Sequence, residues 1–147
     1  MSKGLKVLYI EDNPDDVLLL EHVLKRMNRL NLFEIVTDPG IALETLTTDP
    51  AGFKLVITDS RLPGMNGLDV VQALKANPDT NHLPCIVLTA MLSDDEIALA
   101  YKAGAAAVFL KPNEISDFSD LVRQIISYWE TAIPPLSATP ARTSAVH

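Results

Sequence analysis

The sequence predicts an α/β protein, in which a doubly wound sheet of five parallel strands carries helices on both faces. Three observations support this prediction. Five βα units alternate along the chain with short connections between them. The strand segments are apolar without interruption, as at residues 55–57, which is typical of strands buried on both faces. A length of 147 residues, 48% of them hydrophobic, suffices for a single domain with its own core.

Each element has its own local signal. Short apolar runs rich in β-branched residues predict strands at residues 5–10, 33–36, 55–57, 84–88 and 107–110. Apolar residues at helical spacing predict helices at residues 14–27, 39–48, 68–76, 94–103 and 115–129. In the second of these helices, we expect Ile41, Leu43 and Leu46 to face the core.

Capping residues mark the ends of the helices. Asn13 and Pro14 suit the N-cap and the first position of the first helix. Two pairs with capping-box spacing precede the third and fourth helices, namely Asn66 with Asp69 and Ser93 with Glu96. Gly104 ends the fourth helix, since glycine readily adopts the left-handed conformation of a helix terminus.

The composition argues against several classes of protein. A net charge of −7 and a pI near 4.8 disfavour non-specific nucleic-acid binding, which needs a basic face. No apolar run approaches the roughly 18 residues that span a bilayer, and we expect no signal peptide. The single cysteine, Cys85, cannot form an internal disulfide and suits a cytoplasmic protein. We divide the chain into one domain at residues 1–133 and a tail at 134–147, rich in Pro, Ser, Ala and Thr.

Chemically active side chains stand where the predicted strands end. Asp59 follows the third strand, and Glu11 and Asp12 follow the first. Thr89 ends the fourth strand and Lys111 the fifth. Because the carboxyl ends of parallel strands meet at one edge of a sheet, these side chains should converge there.

Converging carboxylates repel each other unless a cation lies between them. Oxygen ligands alone favour Mg²⁺ over zinc, and no histidine pair has the spacing of a metal site. With Mg²⁺ bound, Asp59 would stay ionised and could attack a phosphorus atom. The metal, the Lys111 ammonium and the Thr89 hydroxyl would then hold the phosphoryl oxygens.

Each residue alone has a simpler explanation. Glu11 and Asp12 could be a solvated strand end, Lys111 a surface lysine, and Thr89 a β-branched strand residue. Asp59 could cap a helix, although Asn66 is better placed to do so. Their joint placement at the ends of four strands favours the functional interpretation.

With these residues in place, the chain resembles the receiver domain of bacterial two-component response regulators over residues 5 to about 130. The matching residues are Glu11-Asp12, Asp59 with Pro63-Gly64 and Gly67-Leu68, Thr89-Ala90, and the run from Phe109 to Pro112. The resemblance implies a flavodoxin-like (βα)5 fold with strand order 2-1-3-4-5. It also implies that Asp59 accepts a phosphoryl group from the phosphohistidine of a sensor kinase.

The resemblance assigns further roles. Asp12, Asp59 and the backbone carbonyl of Arg61 would hold Mg²⁺, with Glu11 acting through water. Thr89 and Phe109 would couple phosphorylation to a surface change, in which the hydroxyl moves to the phosphate and the ring turns inward. Arg61 and Met91 would tune the lifetime of the phosphate, and the Lys111–Pro112 peptide bond would be cis.

Two segments are similar to the small stand-alone regulators that pair with bacterial phytochromes: residues 11–16, and the aromatic helix end at 118–129 before Pro134-Pro135. In that subgroup the segment after the last helix can grip a second protomer, which implies a homodimer. The partner would be a sensor histidine kinase, and output would occur through protein contacts on the fourth helix, fifth strand and fifth helix. An amphipathic helix followed by a simple tail remains the alternative.

Rival functions can be weighed against the same residues. A haloacid-dehalogenase-type phosphatase needs a second Asp at the position of Arg61. A phosphotransfer histidine at His22 would belong to an all-helical module. An adaptor of the same fold that signals without phosphorylation remains open. The presence of all the phosphorylation residues favours a phosphoacceptor with self-catalysed transfer and slow autodephosphorylation, and not an enzyme. We predict no nucleic-acid or membrane partner.

Overall fold

A computed structural model describes residues 4–90 and 93–132, which form alternating strands and helices. The five strands are β1 (Val7–Ile10), β2 (Phe33–Val36), β3 (Leu55–Asp59), β4 (Cys85–Thr89) and β5 (Ala107–Leu110). The five helices are α1 (Pro14–Arg26), α2 (Pro39–Thr48), α3 (Gly67–Ala76), α4 (Asp94–Ala103) and α5 (Ile115–Thr131). Two 3-10 turns, Leu30–Leu32 and Pro50–Gly52, precede β2 and β3.

All five strands are parallel, in the order β2-β1-β3-β4-β5. The predicted doubly wound, flavodoxin-like fold is therefore confirmed. The strands β1 and β4 begin later than predicted, at Val7 and Cys85, and the strands β3 and β4 end later than predicted, at Asp59 and Thr89. Pro84 has no N–H to donate to the ladder, although its carbonyl accepts a hydrogen bond from Val56 at 3.0 Å.

Two apolar layers cover the sheet. One packs α1 and α5 against it, with Leu20, Leu24 and Val122 among its buried side chains. The other packs α2, α3 and α4 against the opposite face. Leu46 and Leu43 belong to this second layer, but Ile41 is 55% exposed, which corrects the prediction. Ala42 and Leu46, four residues apart, form the inward stripe, and Ile41 lies about 100° away from it.

The predicted caps hold the helices that flank the strand ends. Asn13 accepts hydrogen bonds from the first turn of α1, and Asn66 with Asp69 forms a reciprocal capping box on α3. Ser93 accepts from the backbone of Glu96 at 3.3 Å, which is one half of such a box. Gly104 ends α4 at a φ of 114°.

Two further features concern β5. The described residues contain no cis peptide bond, so the predicted cis Lys111–Pro112 bond is trans, the form that X–Pro bonds favour by about 0.5–1 kcal/mol. On the outer edge of β5, the backbone N–H of Val108 donates to the hydroxyl of Tyr101 on α4 at 3.1 Å.

None of the described helices is both long enough and apolar enough to cross a membrane.

Candidate functional site

The sheet register brings the candidate residues to one edge. Ile10 lies opposite Thr58 in the β1–β3 pair, so Glu11 and Asp59 leave neighbouring strands at the same level. The backbone N–H of Lys111 donates to the carbonyl of Thr89 at 2.7 Å, which extends the β4–β5 ladder by one step. The parallel strands thus deliver all four chain segments to the same rim.

Three carboxylates meet at this rim. One oxygen each from Glu11, Asp12 and Asp59 lies within 4.8 Å of the other two. Glu11 is buried and Asp59 is largely buried, so water screens their repulsion poorly. An all-oxygen, charge-rich group of this kind fits Mg²⁺, which prefers carboxylates together with water. The predicted metal ligands therefore suit the ion that the sequence suggested.

The ammonium group of Lys111 lies among these acids. Its Nζ atom is 2.5 Å from Oε1 of Glu11, 2.9 Å from Oδ2 of Asp16 and 3.5 Å from Oδ1 of Asp59. Only 14% of the Lys111 side chain is exposed, so its contacts with Glu11 and Asp59 are mostly shielded from solvent. A single cation thus bridges the acids of β1 and β3, and it is supplied from the edge strand β5.

The pKa values reflect this crowding. Burial raises the pKa of Glu11, while the hydrogen bond from Lys111 partly offsets the shift. Burial likewise raises the pKa of Asp59, against the opposing effects of Lys111 and a backbone hydrogen bond from Arg61. For Lys111, burial lowers the pKa, but hydrogen bonds to Glu11 and Asp16 outweigh it and raise the pKa overall. The site therefore favours positive charge between its carboxylates.

A cavity of about 280 Å³, which we call the strand-end cavity, opens beside Asp59 and Lys111. Asp16, Ser60, Arg61 and Asn113 are among the other residues that line it. The space accommodates a small tetrahedral anion next to both a carboxylate and an ammonium group. The loop beneath it is tightly packed, because the α carbon of Gly67 lies so close to the carbonyl of Asp59 that a Cβ would stand 2.5 Å from that oxygen.

Thr89 lies at the rim but lines an adjoining space. That second cavity, of about 270 Å³, separates β4 from α4 and also borders Ser60 and Val108. Phe109 is not among the residues brought together, because neighbouring side chains of a strand point to opposite faces of the sheet. Its ring packs with the α1 and α5 layer, and Val108 occupies the face that Thr89 shares. The structure thus gives no support to pairing Phe109 with Thr89.

One residue of the site was missed from the sequence. From the sequence, Asp16 entered only as part of residues 11–16, the segment similar to the phytochrome-paired regulators, yet its carboxylate accepts a hydrogen bond from Lys111 at 2.9 Å. Its position in the first turn of α1, directly after the strand end at Glu11 and Asp12, could have indicated that it lies near the rim. Arg61 is exposed and lines the strand-end cavity, whereas Met91 lies outside the described residues.

A doubly wound sheet with an acidic triad and a lysine at its carboxyl rim is the arrangement that the resemblance to receiver domains implied. The family model for the response regulator receiver domain matches residues 7–123. The chain therefore belongs to the response regulator receiver domain family, the receivers of two-component signalling.

Individual proteins that are similar to this chain are also response regulators. The response regulator Rcp1 of Synechocystis sp. is 27% identical over 136 residues, covering 88% of this chain and 92% of its own length. The crystal structure of an Mn²⁺-bound Rcp1 superposes with a TM-score of 0.75 at 25% identity, covering 91% of this chain and all of that one. A phosphorylated cyanobacterial phytochrome response regulator, RcpA, gives a TM-score of 0.76 at 25% identity with the same coverage.

Proposed function

We propose that the chain is a stand-alone response regulator whose Asp59 accepts a phosphoryl group from the phosphohistidine of a sensor histidine kinase. The single observation that carries this proposal is the Lys111 ammonium, which contacts Glu11 and Asp59 beside a cavity of anion size. A merely solvated strand end would not need a shielded cation between two shielded acids. The similarity to a phosphorylated regulator supports the same conclusion.

Asp12, Asp59 and the carbonyl of Arg61 would hold Mg²⁺, with Glu11 acting through water. When bound, the ion supplies positive charge that offsets the negative charge of the incoming phosphoryl group. A carboxylate oxygen of Asp59 forms the new P–O bond as the P–N bond breaks, and the imidazole leaves with the electron pair of that bond. Lys111 orients phosphoryl oxygens from within the strand-end cavity, and the Thr89 hydroxyl turns towards them from the adjoining cavity, which also borders Ser60. The chain thus contributes positioning and charge.

The product is an acyl phosphate on Asp59, which water hydrolyses slowly. The chain thus catalyses its own modification. Arg61 borders the strand-end cavity from a loop and is exposed, so its side chain can fold over the phosphoryl group. We propose that Arg61, together with Met91, sets how quickly water reaches the acyl phosphate.

Output is proposed to occur through protein contacts on α4, β5 and α5. Helices α4 and α5 and strand β5 carry five large side chains that are about half exposed or more: Leu99, Tyr101, Leu110, Ile115 and Tyr128. Tyr128 packs edge-on against Trp129 next to a groove of about 610 Å³ between β5 and α5. We propose that a second protomer covers this side as a homodimer; the arm assigned to residues 134–147 lies outside the described residues.

The relatives also suggest the input. RcpA is a phytochrome response regulator, and we propose that a bacteriophytochrome-type kinase phosphorylates this chain in the cytoplasm. Sedimentation with and without beryllofluoride, a mimic of the phosphoryl group, tests the dimer. A monomer in both states would remove the homodimer from this proposal.

The phosphoacceptor role is tested by incubating the protein with acetyl phosphate and Mg²⁺, followed by intact-mass spectrometry. We expect one added phosphoryl group on the wild type and none on Asp59→Asn. Asp79→Asn is the matched control, because Asp79 is exposed in the connection that precedes β4, at the opposite end of the strands from the rim. It should be modified like the wild type. Equal modification of all three proteins would refute Asp59 as the acceptor, and no modification of any would favour the adaptor function.

A further inference from the structure

A second recessed surface lies between α1 and α5 and extends along them to the C-terminal end of α1, away from the strand-end cavity. It has a volume of about 480 Å³ and is lined by Arg26, Met27, Arg29, Ser119, Arg123, Ile126, Ser127 and Glu130. We call it the arginine groove. Because α1 rises about 1.5 Å per residue, Arg26 is roughly 18 Å from Pro14, where the helix starts at the functional rim. The proposed phosphorylation chemistry therefore does not use this groove.

The groove concentrates positive charge on an acidic protein. Three guanidinium groups line it, against one carboxylate, on a chain whose net charge is −7. Arg29 pairs with Glu130 at 3.4 Å, and Arg123 pairs with Asp120 at 3.1 Å. Within residues 4–90 and 93–132, Arg26 makes no ion pair. Both existing pairs are solvent-exposed, so an incoming anion can replace either acid at little cost in free energy.

Helix stabilisation explains only part of this cluster. Arg26 lies in the last turn of α1, where a cation interacts favourably with the helix dipole. Arg123 lies in the middle of α5 and gains nothing from that effect. Its guanidinium nevertheless lines the same groove, as do the hydroxyl-bearing Ser119 and Ser127. The cluster therefore extends beyond what the ends of the two helices require.

We propose that the arginine groove docks an acidic segment, rich in Asp and Glu, of a partner protein. Guanidinium groups bind carboxylates in a bidentate fashion, and the serine hydroxyls can donate to further oxygens. Met27 and the buried Ile126 give the groove an apolar floor for the methylene groups of such side chains. The chain's own residues 133–147 do not match this surface, because they contain an arginine and no Asp or Glu.

The test is an NMR titration of the full chain with a synthetic peptide of four Asp-Glu repeats at low salt. We expect amide shifts around Met27, Arg123 and Ser127, and binding that weakens as salt is added. A Lys-Gln repeat peptide of equal length should cause none of these shifts. Shifts confined to the strand-end cavity, or no shifts with the acidic peptide at all, would overturn the proposal.

A pair of charge-matched variants makes the test specific. Arg26→Gln/Arg123→Gln removes two charges from the groove, and Lys54→Gln/Lys102→Gln removes two charges outside it. We expect the first variant to bind the acidic peptide at least tenfold more weakly, and the second to change affinity by less than about twofold. Equal weakening in both would mean that only net charge matters and would refute the groove.

Two other occupants would also overturn the proposal. Inorganic phosphate that produces the same shifts at the same concentration would indicate a small-anion site. Concentration-dependent self-association that is lost in Arg26→Gln/Arg123→Gln would assign the groove to a second copy of this chain. Neither outcome affects the acetyl phosphate test of Asp59, so the two proposals fail independently.

Discussion

Replacing Lys111 by methionine isolates what the ammonium does in the acidic rim. The substitution keeps most of the side-chain volume and removes the cation from Glu11, Asp16 and Asp59. At an effective dielectric constant of about 20, each charge pair at roughly 3 Å contributes about 5 kcal/mol of attraction. Dehydration of the buried charges offsets most of this, and breaking a buried pair costs about 3–5 kcal/mol. Because Asp16 is 37% exposed, water can stabilise it without Lys111, so we expect a loss of about 3 kcal/mol.

The assay is urea unfolding at pH 7 in the presence of EDTA, so that stability is measured without divalent metal. Lys102→Met, at an exposed lysine of α4, is the control and should change the free energy of unfolding by less than about 0.5 kcal/mol. Adding Mg²⁺ should restore much of the lost stability of Lys111→Met, because the carboxylates would then bind the ion in place of the ammonium. A loss below about 1 kcal/mol for Lys111→Met would contradict the shielded ion network described above.

Three further predictions concern the scaffold of the site. Gly67→Ala should lower the free energy of unfolding by about 1–3 kcal/mol, because its Cβ would stand 2.5 Å from the Asp59 carbonyl; urea unfolding measures this. Asn66→Ala should cost about 1 kcal/mol by removing the capping box of α3, in the same assay. Burial raises the pKa of Cys85 to about 12, so at pH 8 its thiol should react with a disulfide reagent only as fast as the protein unfolds.

For each of these three variants or reactions, one result would contradict the prediction. A Gly67→Ala protein as stable as the wild type would mean that the loop after β3 can move away from the new methyl group. An Asn66→Ser variant should retain most of the cap, so a loss equal to that of Asn66→Ala would point to a role other than capping. Rapid reaction of the folded thiol would contradict the burial of Cys85. Since the folded state holds this proton more tightly, the same shift should also lower stability as the pH rises from about 9 towards 12.

The sequence predicts much of this molecule because its signals are local. Uninterrupted apolar strands and side-chain caps such as Asn13 specify the elements, and alternation of strands and helices leaves few topologies. The position of Asp59 at a strand end depends only on counting along one strand. The acidic rim could therefore be anticipated before any contact was known.

The features that the sequence could not predict depend on the direction of side chains and on distances between separate elements. Phe109 and Val108 are adjacent in the chain, and a one-residue difference decides which face of the sheet each side chain joins. Asp16 reaches Lys111 across 95 residues of chain, a contact that depends on how α1 sits over the rim. The arginine groove likewise exists only because α1 and α5 lie side by side on the same face. Each of these features arises from packing between elements and not from a pattern within one of them.

The hydrogen bond from Val108 to the hydroxyl of Tyr101 affects how this protein can meet other chains. An open border of a β-sheet invites foreign strands to add to it, which leads to aggregation. Here a phenol from the adjacent helix already occupies a main-chain donor on that border, so an intruding strand must first expel it. This hydrogen bond therefore favours association through side chains over the repeated addition of strands by main-chain hydrogen bonding.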